Sequence, residues 1–557
     1  MTSGTESKST ADRPAVIIAG GGPVGMMLAL ELGRRNVRCV LFNDKKGIAE
    51  SPKANATSPR SMEHLRRFGI ARKFRERSLP ADYPTDITYF TRFLGYELAR
   101  LKLPCWRDAV AENARGEGPW ASPEPAHRGS QLYLEAALFD RLRDFPSIDV
   151  RFGRRVVDFV DLGDGVRVRT ADSETGDEES VTGSYLVGCD GGSSPVRKKL
   201  GIELAGDSGI VRAFMGGSML AAYVRMGPDP NGRFPPRSWQ YWAVNAEVRA
   251  LCCAIDGGDK YVVHVQLPVS RPLDAAYVRD MVERAAGGAV LREIISFVPW
   301  TAGFRLLAQA YGSGRVFIAG DAAHLFTPTG GLGMNTGIDD AVNLAWKLAA
   351  VANGWADERL LASYESERRP IGARNLSFSK AFADSVGLTP ATPAIETDTA
   401  EGREERARVG AHLYDHARRE FLIPGIHLGM RYEDSPVIRR ETGAEPADPP
   451  NQYHPTARPG HRAPHAWLAP GEALFDRFGS EFTLLHLHGD GRSAQALATG
   501  FAAHGVPLSV QSIARAELRE LYGADLVLIR PDQHVAWRGN SAPGDAASLV
   551  DRVRGVG

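Results

Sequence analysis

The stretch PAVIIAGGGPVGMMLALELGRRNVRCVLFN, residues 14–43, decides the fold of the first part of the chain. It reads as a short buried strand, a glycine turn, an apolar helix and a second strand, which together form a βαβ unit. Gly20, Gly22 and Gly25 follow the pattern GxGxxG, in which the first allows a tight turn, the second lets backbone approach a pyrophosphate and the third lets helix and strand pack closely. The helix N-terminus adds NH groups that favour an anion. The segment therefore predicts a dinucleotide-binding site.

The end of the second strand leaves the kind of dinucleotide open. Such sites usually place an acid there to hold a ribose, whereas this chain has Asn43 followed by Asp44. The amide of Asn43 can still bond ribose hydroxyls. Lys45 and Lys46 could instead bind a 2′-phosphate, which would favour NADP. The glycine turn alone does not decide between a flavin and a nicotinamide dinucleotide.

The rest of the chain alternates between strand and helix patterns. Buried strands are predicted at YLVGCD (185–190) and RVFIAGD (315–321), and residues 205–300, rich in aromatic and β-branched residues, predict a mainly antiparallel sheet. From Ile338 to Ala352 the apolar residues form one helical stripe, which Asn353 and Gly354 end. Residues 395–445 are charged and predicted to be helical. A proline-rich linker then leads to a small α/β module.

Composition excludes several classes of protein. Lys and Arg number 67 and Asp and Glu number 67 among 557 residues, so the formal net charge is zero and no overall field attracts nucleic acid or an anionic membrane. No run of about 18 apolar residues predicts a membrane helix. The polar residues 1–13 predict a disordered leader rather than a secretory signal. Five scattered cysteines without a CxxC predict no metal site and no disulfide scaffold. We therefore expect a cytoplasmic protein with no nucleic-acid or membrane partner.

Two further motifs indicate a flavin. CDGGSSPVRKKLG (189–201) carries Asp190-Gly191 after a strand, and RVFIAGDAAHLFTPTGGLGMNTGIDDAVNLAWKLA (315–349) carries Gly320-Asp321 after another. With GxGxxG, they resemble the three-motif signature of the flavoprotein aromatic hydroxylases of the para-hydroxybenzoate hydroxylase and phenol hydroxylase group. The resemblance covers nearly the whole chain. It implies FAD as cofactor, NADH or NADPH as co-substrate, and hydroxylation of a phenolic ring by O2 through a flavin C4a-hydroperoxide.

The resemblance also implies which residues bind FAD. An acid at a strand end, Asp321, is well placed to accept a bond from a ribityl hydroxyl, and the NH groups at the following helix start would stabilise negative charge on a reduced flavin. PKANATSPRSMEHLRRFG (52–69) and HRGSQLYLE (127–135) resemble two more family segments. A solvated basic helix start is the alternative for Lys53 and Arg60. The full predicted set is Gly20, Gly22, Gly25, Asn43, Asp44, Lys53, Arg60, Gln131, Asp190, Gly191, Gly320, Asp321, Pro328, Gly331, Leu332, Gly333, Met334 and Asn335.

The fold class implied is α/β, with three parts. A Rossmann-like FAD-binding domain is expected over residues 14–80, 126–204 and 302–395, and an interleaved antiparallel-sheet substrate domain over residues 81–125 and 205–301. A helical connection would cover residues 396–445. Residues 446–557 resemble the C-terminal thioredoxin-like domain of phenol and polyketide hydroxylases, here without CxxC, so dithiol chemistry is excluded. By family analogy we expect a homo-oligomer, a dimer or higher.

The residues on the substrate side are the least defined. The resemblance places Asn55 where phenol hydroxylases have an acid and His264 where they have a tyrosine, with Pro328 beside the flavin, and these three are the catalytic candidates. Strand alternation puts Val262, His264 and Gln266 on one face. A hydrogen-bonded sheet histidine is the alternative for His264. Trp239, Tyr241 and Trp242 could line an aromatic substrate pocket or belong to the core, and His324 is expected to be structural.

Three other functions compete. An epoxidase or halogenase could use the same FAD scaffold, although the WxWxIP element of halogenases is missing. An NADP-dependent dehydrogenase would use only the first motif with Lys45 and Lys46. A non-catalytic flavin-binding scaffold would use the C-terminal module for assembly.

Overall fold

A computed structural model describes residues 13–118, 120–268 and 272–556 of the chain. The predicted leader therefore lies outside the described residues except for Arg13. Within these ranges no helix combines the length and the apolar composition needed to cross a membrane.

The first 200 residues contain most of a parallel sheet and its helices. In chain order, the elements are β1 (Val16–Ala19), α1 (Pro23–Gly33), β2 (Cys39–Asn43), α2 (Pro59–Arg67), α3 (Ala71–Arg77), β3 (Ile87–Phe90), β4 (Glu97–Leu101), α4 (Trp106–Ala114), α5 (Gln131–Leu142), β5 (Ile148–Phe152), β6 (Arg154–Asp161), β7 (Val166–Asp172), β8 (Glu178–Gly183), β9 (Tyr185–Gly188) and α6 (Pro195–Lys199). The predicted βαβ unit is confirmed, since β1 pairs in parallel with β2.

The middle of the chain adds a second large sheet and four long helices. The elements are β10 (Leu204–Asp207), β11 (Gly217–Met226), β12 (Gln240–Val244), β13 (Arg249–Ala254), β14 (Lys260–Gln266), α7 (Ala275–Ala286), β15 (Leu291–Ala302), β16 (Arg305–Ala308), β17 (Gly312–Ser313), β18 (Val316–Ile318), β19 (His324–Leu325), α8 (Leu332–Ala352), α9 (Ser363–Gly387), α10 (Ala400–Phe421) and α11 (Pro424–Leu428).

Two sheets of different character position the site. The order β17-β18-β9-β1-β2-β5 forms a six-stranded sheet in which every neighbouring pair is parallel except β17 with β18. The order β15-β11-β14-β13-β12-β3-β4 forms a seven-stranded sheet whose neighbours are antiparallel except β12 with β3. The strand ends of the first sheet carry the three motifs. The mainly antiparallel sheet predicted for residues 205–300 is confirmed, with β3 and β4 added at its edge.

The helical prediction for residues 395–445 is only partly correct. α10 ends at Phe421 and α11 at Leu428, and residues 429–445 form no further helix. Pro424 disfavours helical backbone at Ile423, which directly precedes it, so α10 cannot run into α11. Beyond α11, Pro436 interrupts the chain in the same way.

The C-terminal module has the predicted thioredoxin-like arrangement. Its elements are β20 (Trp467–Ala469), β21 (Glu472–Ala473), β22 (Phe482–His486), α12 (Arg492–Ala503), β23 (Leu508–Ser512), α13 (Ala516–Tyr522), β24 (Leu526–Ile529), β25 (Val535–Gly539) and α14 (Ala546–Val553). The order β23-β22-β24-β25 joins one parallel pair to two antiparallel pairs. A right-handed crossover through α12 is expected for the parallel pair.

Buried charges fasten this module to the rest of the chain. Arg530 donates from both guanidinium ends to Glu367 of α9, at 2.6 and 2.8 Å. Glu367 also accepts a bond from Lys347 of α8 at 2.6 Å. Every one of these side chains is at most 1% exposed. The turn between β24 and β25 therefore packs into the parallel-sheet domain through buried charged side chains.

A second buried cluster lies at α2. Glu63 accepts from Arg60 at 2.8 Å, from Ser122 at 2.6 Å and from the Nε of Arg462 at 3.1 Å. Burial alone raises the pKa of Glu63, but the charges of Arg462 and Arg60 outweigh it and hold the pKa at about 2. Removing one partner of such a cluster leaves uncompensated buried charge, which is far more costly than losing a surface pair.

We expect Glu63→Gln to lower the free energy of unfolding by about 3 kcal/mol, since two buried guanidinium groups lose their counter-charge. The measurement is urea unfolding at pH 7. Glu76→Gln is the matched control, because Glu76 pairs with Arg72 on the exposed side of α3 and such pairs contribute under about 1 kcal/mol.

The pH dependence gives a second check on the same pair of variants. The folded pKa of Glu63 is depressed to about 2 from an ordinary 4.5, so its stabilisation is complete above pH 4.5 and lost as the pH falls toward 2. The difference between wild type and Glu63→Gln should therefore be constant from pH 5 to 8 and shrink in acid. Equal losses of unfolding free energy in Glu63→Gln and Glu76→Gln would contradict a stabilising role for the buried cluster around Glu63.

Candidate active site

The three glycines of the first turn have different structural roles. A Cβ on Gly20, whose φ is +109°, would lie 2.2 Å from the carbonyl oxygen of Cys189, and one on Gly25 would lie 1.9 Å from the oxygen of Gly20. A Cβ on Gly22 would meet nothing within 4 Å. Gly20 and Gly25 are therefore required for packing, while Gly22 opens onto free space in front of α1. α1 begins there without a side-chain cap, so its first NH groups face that space.

Asn43 fixes the position of this turn. Its Oδ1 accepts a hydrogen bond from the backbone NH of Gly21 at 3.2 Å. Asp44, Lys45 and Lys46 follow as exposed residues, and Lys46 forms an ion pair with Glu174. The side chain at the strand end is thus in contact with the glycine turn, as expected for a ribose-binding position.

The second motif is joined to the third. Asp190 accepts a bond from the NH of Val196 at 3.1 Å, while its Oδ1 is buried without a hydrogen-bond partner among the described residues. Burial raises the pKa of Asp190. Arg197 donates to the carbonyl of Ala322 at 3.0 Å. Gly191 takes a φ of +82° beside them.

The third motif is held from behind by a buried triad. Asp340 contacts the Nε2 of His324 at 2.6 Å and accepts from Arg368 at 2.8 Å and from the NH of Gly320 at 3.2 Å. All three side chains are fully buried. His324 is structural, as predicted. The triad leaves Asp321 exposed at the strand end.

Asp321 faces positive charge. Although Asp321 is exposed, the neighbouring protein atoms displace part of its water and raise the pKa of its carboxyl, and the charges of His324 and Lys53 oppose that rise. Lys53 is itself exposed. The two predicted residues therefore come together at the open side of the cleft.

The loop before α8 is pinned by one amide. Asn335 accepts from the NH of Ser58 at 2.8 Å and the hydroxyl of Ser61 at 2.7 Å, and it donates to the carbonyls of Ala56 at 3.1 Å and Gly331 at 2.6 Å. Gly331 has a φ of +63° and no side-chain cap precedes α8. The first NH groups of α8 thus face the cleft, a position that favours negative charge.

The remaining predicted loop residues differ in exposure. Pro328 is exposed, Gly333 and Met334 are partly buried, and Leu332 packs into an apolar cluster with Phe382 and Ile423. The side chain of Leu332 therefore points away from the cleft, and only its backbone can contribute there.

Gln131 positions the segment opposite. Its NH donates to the carbonyl of Ala54 at 2.7 Å, and its side-chain amide donates to Glu135 at 2.5 Å. Glu135 in turn accepts from the NH of Ala49 at 2.7 Å. Ser51 and Ser296 of β15 bond through their hydroxyls at 2.9 Å. Residues 49–55 are thus held over the seven-stranded sheet.

The register of that sheet defines the face under the loop. Ala221, His264, Leu251 and Trp242 pair in one row across β11, β14, β13 and β12. The next row on the same face, two residues along each strand, contains Trp300, Met219 and Gln266. The ring of Trp300 meets His264 edge-on at 5.7 Å.

Four unpartnered polar atoms lie on these two facing surfaces. Within the described ranges of the chain, the Oδ1 of Asn55, the Nδ1 of His264, the Oε1 of Gln266 and the Nε1 of Trp300 are buried without a hydrogen-bond partner. Buried polar groups normally find partners, so such atoms point to a missing ligand. Loss of solvation also lowers the pKa of His264 to about 4, so its imidazole is neutral at pH 7.

The structure corrects the prediction for Tyr241. Tyr241 pairs with Cys252, one residue out of phase with the row of His264, so it lies on the opposite face. There it contacts Phe93 and Tyr261. Trp242, also a pocket candidate, lies on the face of His264, and Trp239 lies just before β12 against Phe421.

Arg60 also departs from its expected place. It is 1% exposed, and its guanidinium donates to Glu63, to Gln533 at 2.5 Å and to the carbonyl of Asp532 at 2.5 Å. It is not a solvated helix start, because it is buried between Glu63 of α2 and the C-terminal module.

Other residues near the site were missed by sequence reasoning. Trp300 joins His264 only through the pairing of β15 and β14 with β11. Glu420 and His416 come from α10, more than a hundred residues after β15, and Glu420 accepts from the NH of Gly330 at 2.8 Å. The i, i+4 spacing of His416 and Glu420 was the one available signal.

Comparisons with known proteins agree with this geometry. Residues 13–379 match the family model described as FAD binding domain, and residues 456–556 match the one described as aromatic-ring hydroxylase, C-terminal. The chain is 32% identical to the FAD-dependent monooxygenase apdD of Emericella nidulans, over 94% of this chain and 87% of that protein.

Two solved structures are similar over their whole length. RebC soaked with chromopyrrolic acid, with bound 7-carboxy-K252c, has a TM-score of 0.86 and 35% identity, covering 98% of this chain and 99% of RebC. Aklavinone-11 hydroxylase in complex with FAD and aklavinone has a TM-score of 0.79 and 28% identity, covering 98% and 99%. This chain therefore belongs to the family of FAD-dependent monooxygenases in which an FAD binding domain is followed by the C-terminal domain of aromatic-ring hydroxylases.

Proposed function

We propose that this enzyme takes electrons from NADH or NADPH and inserts one oxygen atom of O2 into a phenolic or related electron-rich ring held between residues 49–55 and the seven-stranded sheet. The four unpartnered polar atoms of Asn55, His264, Gln266 and Trp300 carry the proposal. They lie on two facing surfaces beside the loop that precedes α8. A ring with hydroxyl or carbonyl substituents would satisfy them and fill the space against Trp242 and Trp300.

The residues present fit FAD along the whole cleft. Gly22 leaves the space that a pyrophosphate needs, Asn43 stands at the ribose position, and Asp190 has a buried oxygen without a partner in the described residues. Asp321 and Lys53 would bind the middle of the cofactor, and the backbone from Pro328 to Met334 would lie against its ring. The chemistry that bound FAD supplies is acceptance of a hydride from NAD(P)H and activation of O2.

The side chains on the sheet would act on the substrate. Neutral His264 can accept a hydrogen bond from a ring hydroxyl through its Nδ1, which increases electron density on the ring. Asn55 offers an amide oxygen on the other side. Neither His264 nor Asn55 carries charge at pH 7, so their role is to orient and polarise the hydroxyl rather than to ionise it fully. Apolar surface from Leu251 and Met219 would exclude water from the ring.

The substrate class proposed is a polycyclic phenol. RebC binds 7-carboxy-K252c and aklavinone-11 hydroxylase binds aklavinone, and both resemble this chain over nearly its full length. The face around Trp300 and His264 offers stacking surface for a fused ring system.

Assembly and location belong to the same proposal. We infer a homo-oligomer by analogy with the family, and a reducing, cytoplasmic compartment. All five cysteines fall in described parts of the chain, and all are free thiols. Free thiols are typical of reducing compartments.

Substitution of two glycines in the first turn should separate cofactor binding from folding. Gly22→Val fills only open space, so its melting temperature without FAD should match that of wild type, while its affinity for FAD should fall by about 100-fold because the side chain occupies the pyrophosphate position. The measurement is FAD titration of the apoprotein by fluorescence quenching.

Gly25→Ala is the matched control. Its Cβ would collide with the carbonyl of Gly20, so it should lower the melting temperature of the apoprotein itself, as overpacking does. FAD affinity in Gly22→Val equal to that of wild type would rule out the turn as the pyrophosphate site.

Activity is tested with the purified enzyme, 2-naphthol, and NADH or NADPH. We expect flavin absorbance bands, oxidation of the reduced nicotinamide that 2-naphthol stimulates, and a product heavier by one oxygen atom. 2-Methoxynaphthalene, which lacks the hydroxyl, should stimulate far less. Stimulated oxidation that yields only hydrogen peroxide would show that 2-naphthol binds but is not a substrate, and a protein that cannot be loaded with FAD would overturn the proposal.

A further inference from the structure

Arg128 lies beside the cleft on a strand-like segment. The residue before it, His127, exchanges two backbone hydrogen bonds with Thr57, both 2.9 Å long. Residue 56, adjacent to Thr57, contacts Gly331 in the loop before α8, where a Cβ on Gly331 would lie 3.1 Å from the Cβ of Ala56. Arg128 therefore follows directly on the residue that pairs with this wall of the proposed ring-binding site.

Aromatic rings surround the guanidinium of Arg128. Its central carbon lies 4.7 Å from the ring centroid of Trp239 and 5.9 Å from that of Phe421. Trp239 is 1% exposed and directly precedes β12, the strand that carries Trp242. Arg128 is only partly buried, so a ligand in the cleft can reach it.

The donors of Arg128 are not used by the protein. Across residues 13–118, 120–268 and 272–556, its guanidinium makes no hydrogen bond and no ion pair within 4 Å, and the one acid that acts on its charge is Glu420. One oxygen of Glu420 accepts from the NH of Gly330 at 2.8 Å, and the other lies 2.7 Å from the Nε2 of His416.

Such a cation is poorly compensated. Burial lowers the pKa of Arg128 to about 10, and the charge of Glu420 only partly opposes this. A guanidinium offers five NH donors in a planar fork that matches the two oxygens of a carboxylate. Leaving these donors without acceptors in a partly dry site is unfavourable, and a bound anion would satisfy them.

We propose that Arg128, backed by Trp239, is a subsite for a carboxylate on the aromatic substrate, so that the enzyme prefers aromatic acids to the corresponding neutral phenols. The inference rests on the proposed function for the identity of the ligand. The carboxylate would pair with the guanidinium while its ring continues along the face of Trp242 and His264. Arg128 would then select the substrate and set its orientation, without taking part in oxygen transfer.

Equilibrium binding to the FAD-loaded enzyme tests this without turnover. The probes are 3-hydroxy-2-naphthoate and 2-naphthol, which share one ring system and differ in the carboxylate, and binding is followed by the change in flavin absorbance. Wild type should bind the acid at least 10-fold more tightly. Arg128→Gln should weaken binding of the acid by 10- to 100-fold and that of 2-naphthol by less than 3-fold, and Arg128→Lys should recover part of the loss for the acid.

Arg237→Gln is the matched control. Arg237 is exposed and stacks over Tyr83 near the start of the same strand, so its removal should change neither dissociation constant. Equal weakening of both ligands in Arg128→Gln, or no preference for the acid in wild type, would overturn the proposal. The binding measurement contains no NAD(P)H and is therefore independent of turnover. If the enzyme prefers the acid but does not hydroxylate it, the proposed function is contradicted and the carboxylate subsite is still supported.

Discussion

The amide of Asn335 holds together two segments that are 277 residues apart, through its bond to Ser58. One amide satisfies a backbone NH, a hydroxyl and two carbonyls, and so fixes the start of α8 against residues 56–61. Both walls of the cleft depend on this contact. Residues 49–57 lead directly into Ser58, and the loop before α8 leads into the helical turn that carries Asn335. Active sites need this kind of support, since an error of about 1 Å in position costs much of the rate.

The C-terminal module extends the same support. α2 begins immediately after Ser58, and its buried face is occupied by Arg60 and Glu63, which bind Asp532, Gln533 and Arg462. The module therefore supports the helix that Asn335 ties to α8. Its lack of cysteine fits a structural role, because its contacts with α2 are made by Arg462, Gln533 and the backbone carbonyl of Asp532.

The main features of the fold were predictable from local patterns. The glycine turn, the two later strand ends and the stripe on α8 each occupy one continuous stretch, and each was found where expected. The substrate face was harder to predict because it depends on pairing between strands. Periodicity of two puts Tyr241 and Trp242 on opposite faces of their strand, but it does not say which face meets the cleft. The burial of Arg60 was not predicted for a related reason, since its acceptors Asp532 and Gln533 lie more than 450 residues away.

The oxygen added to the ring is expected to come from O2 in a cleft that FAD occupies. The most direct measurement is the mass of the product formed from 2-naphthol or 3-hydroxy-2-naphthoate under 18O2 in ordinary water. Incorporation of one 18O atom per product molecule is the predicted result. A product whose new oxygen comes instead from water would contradict it.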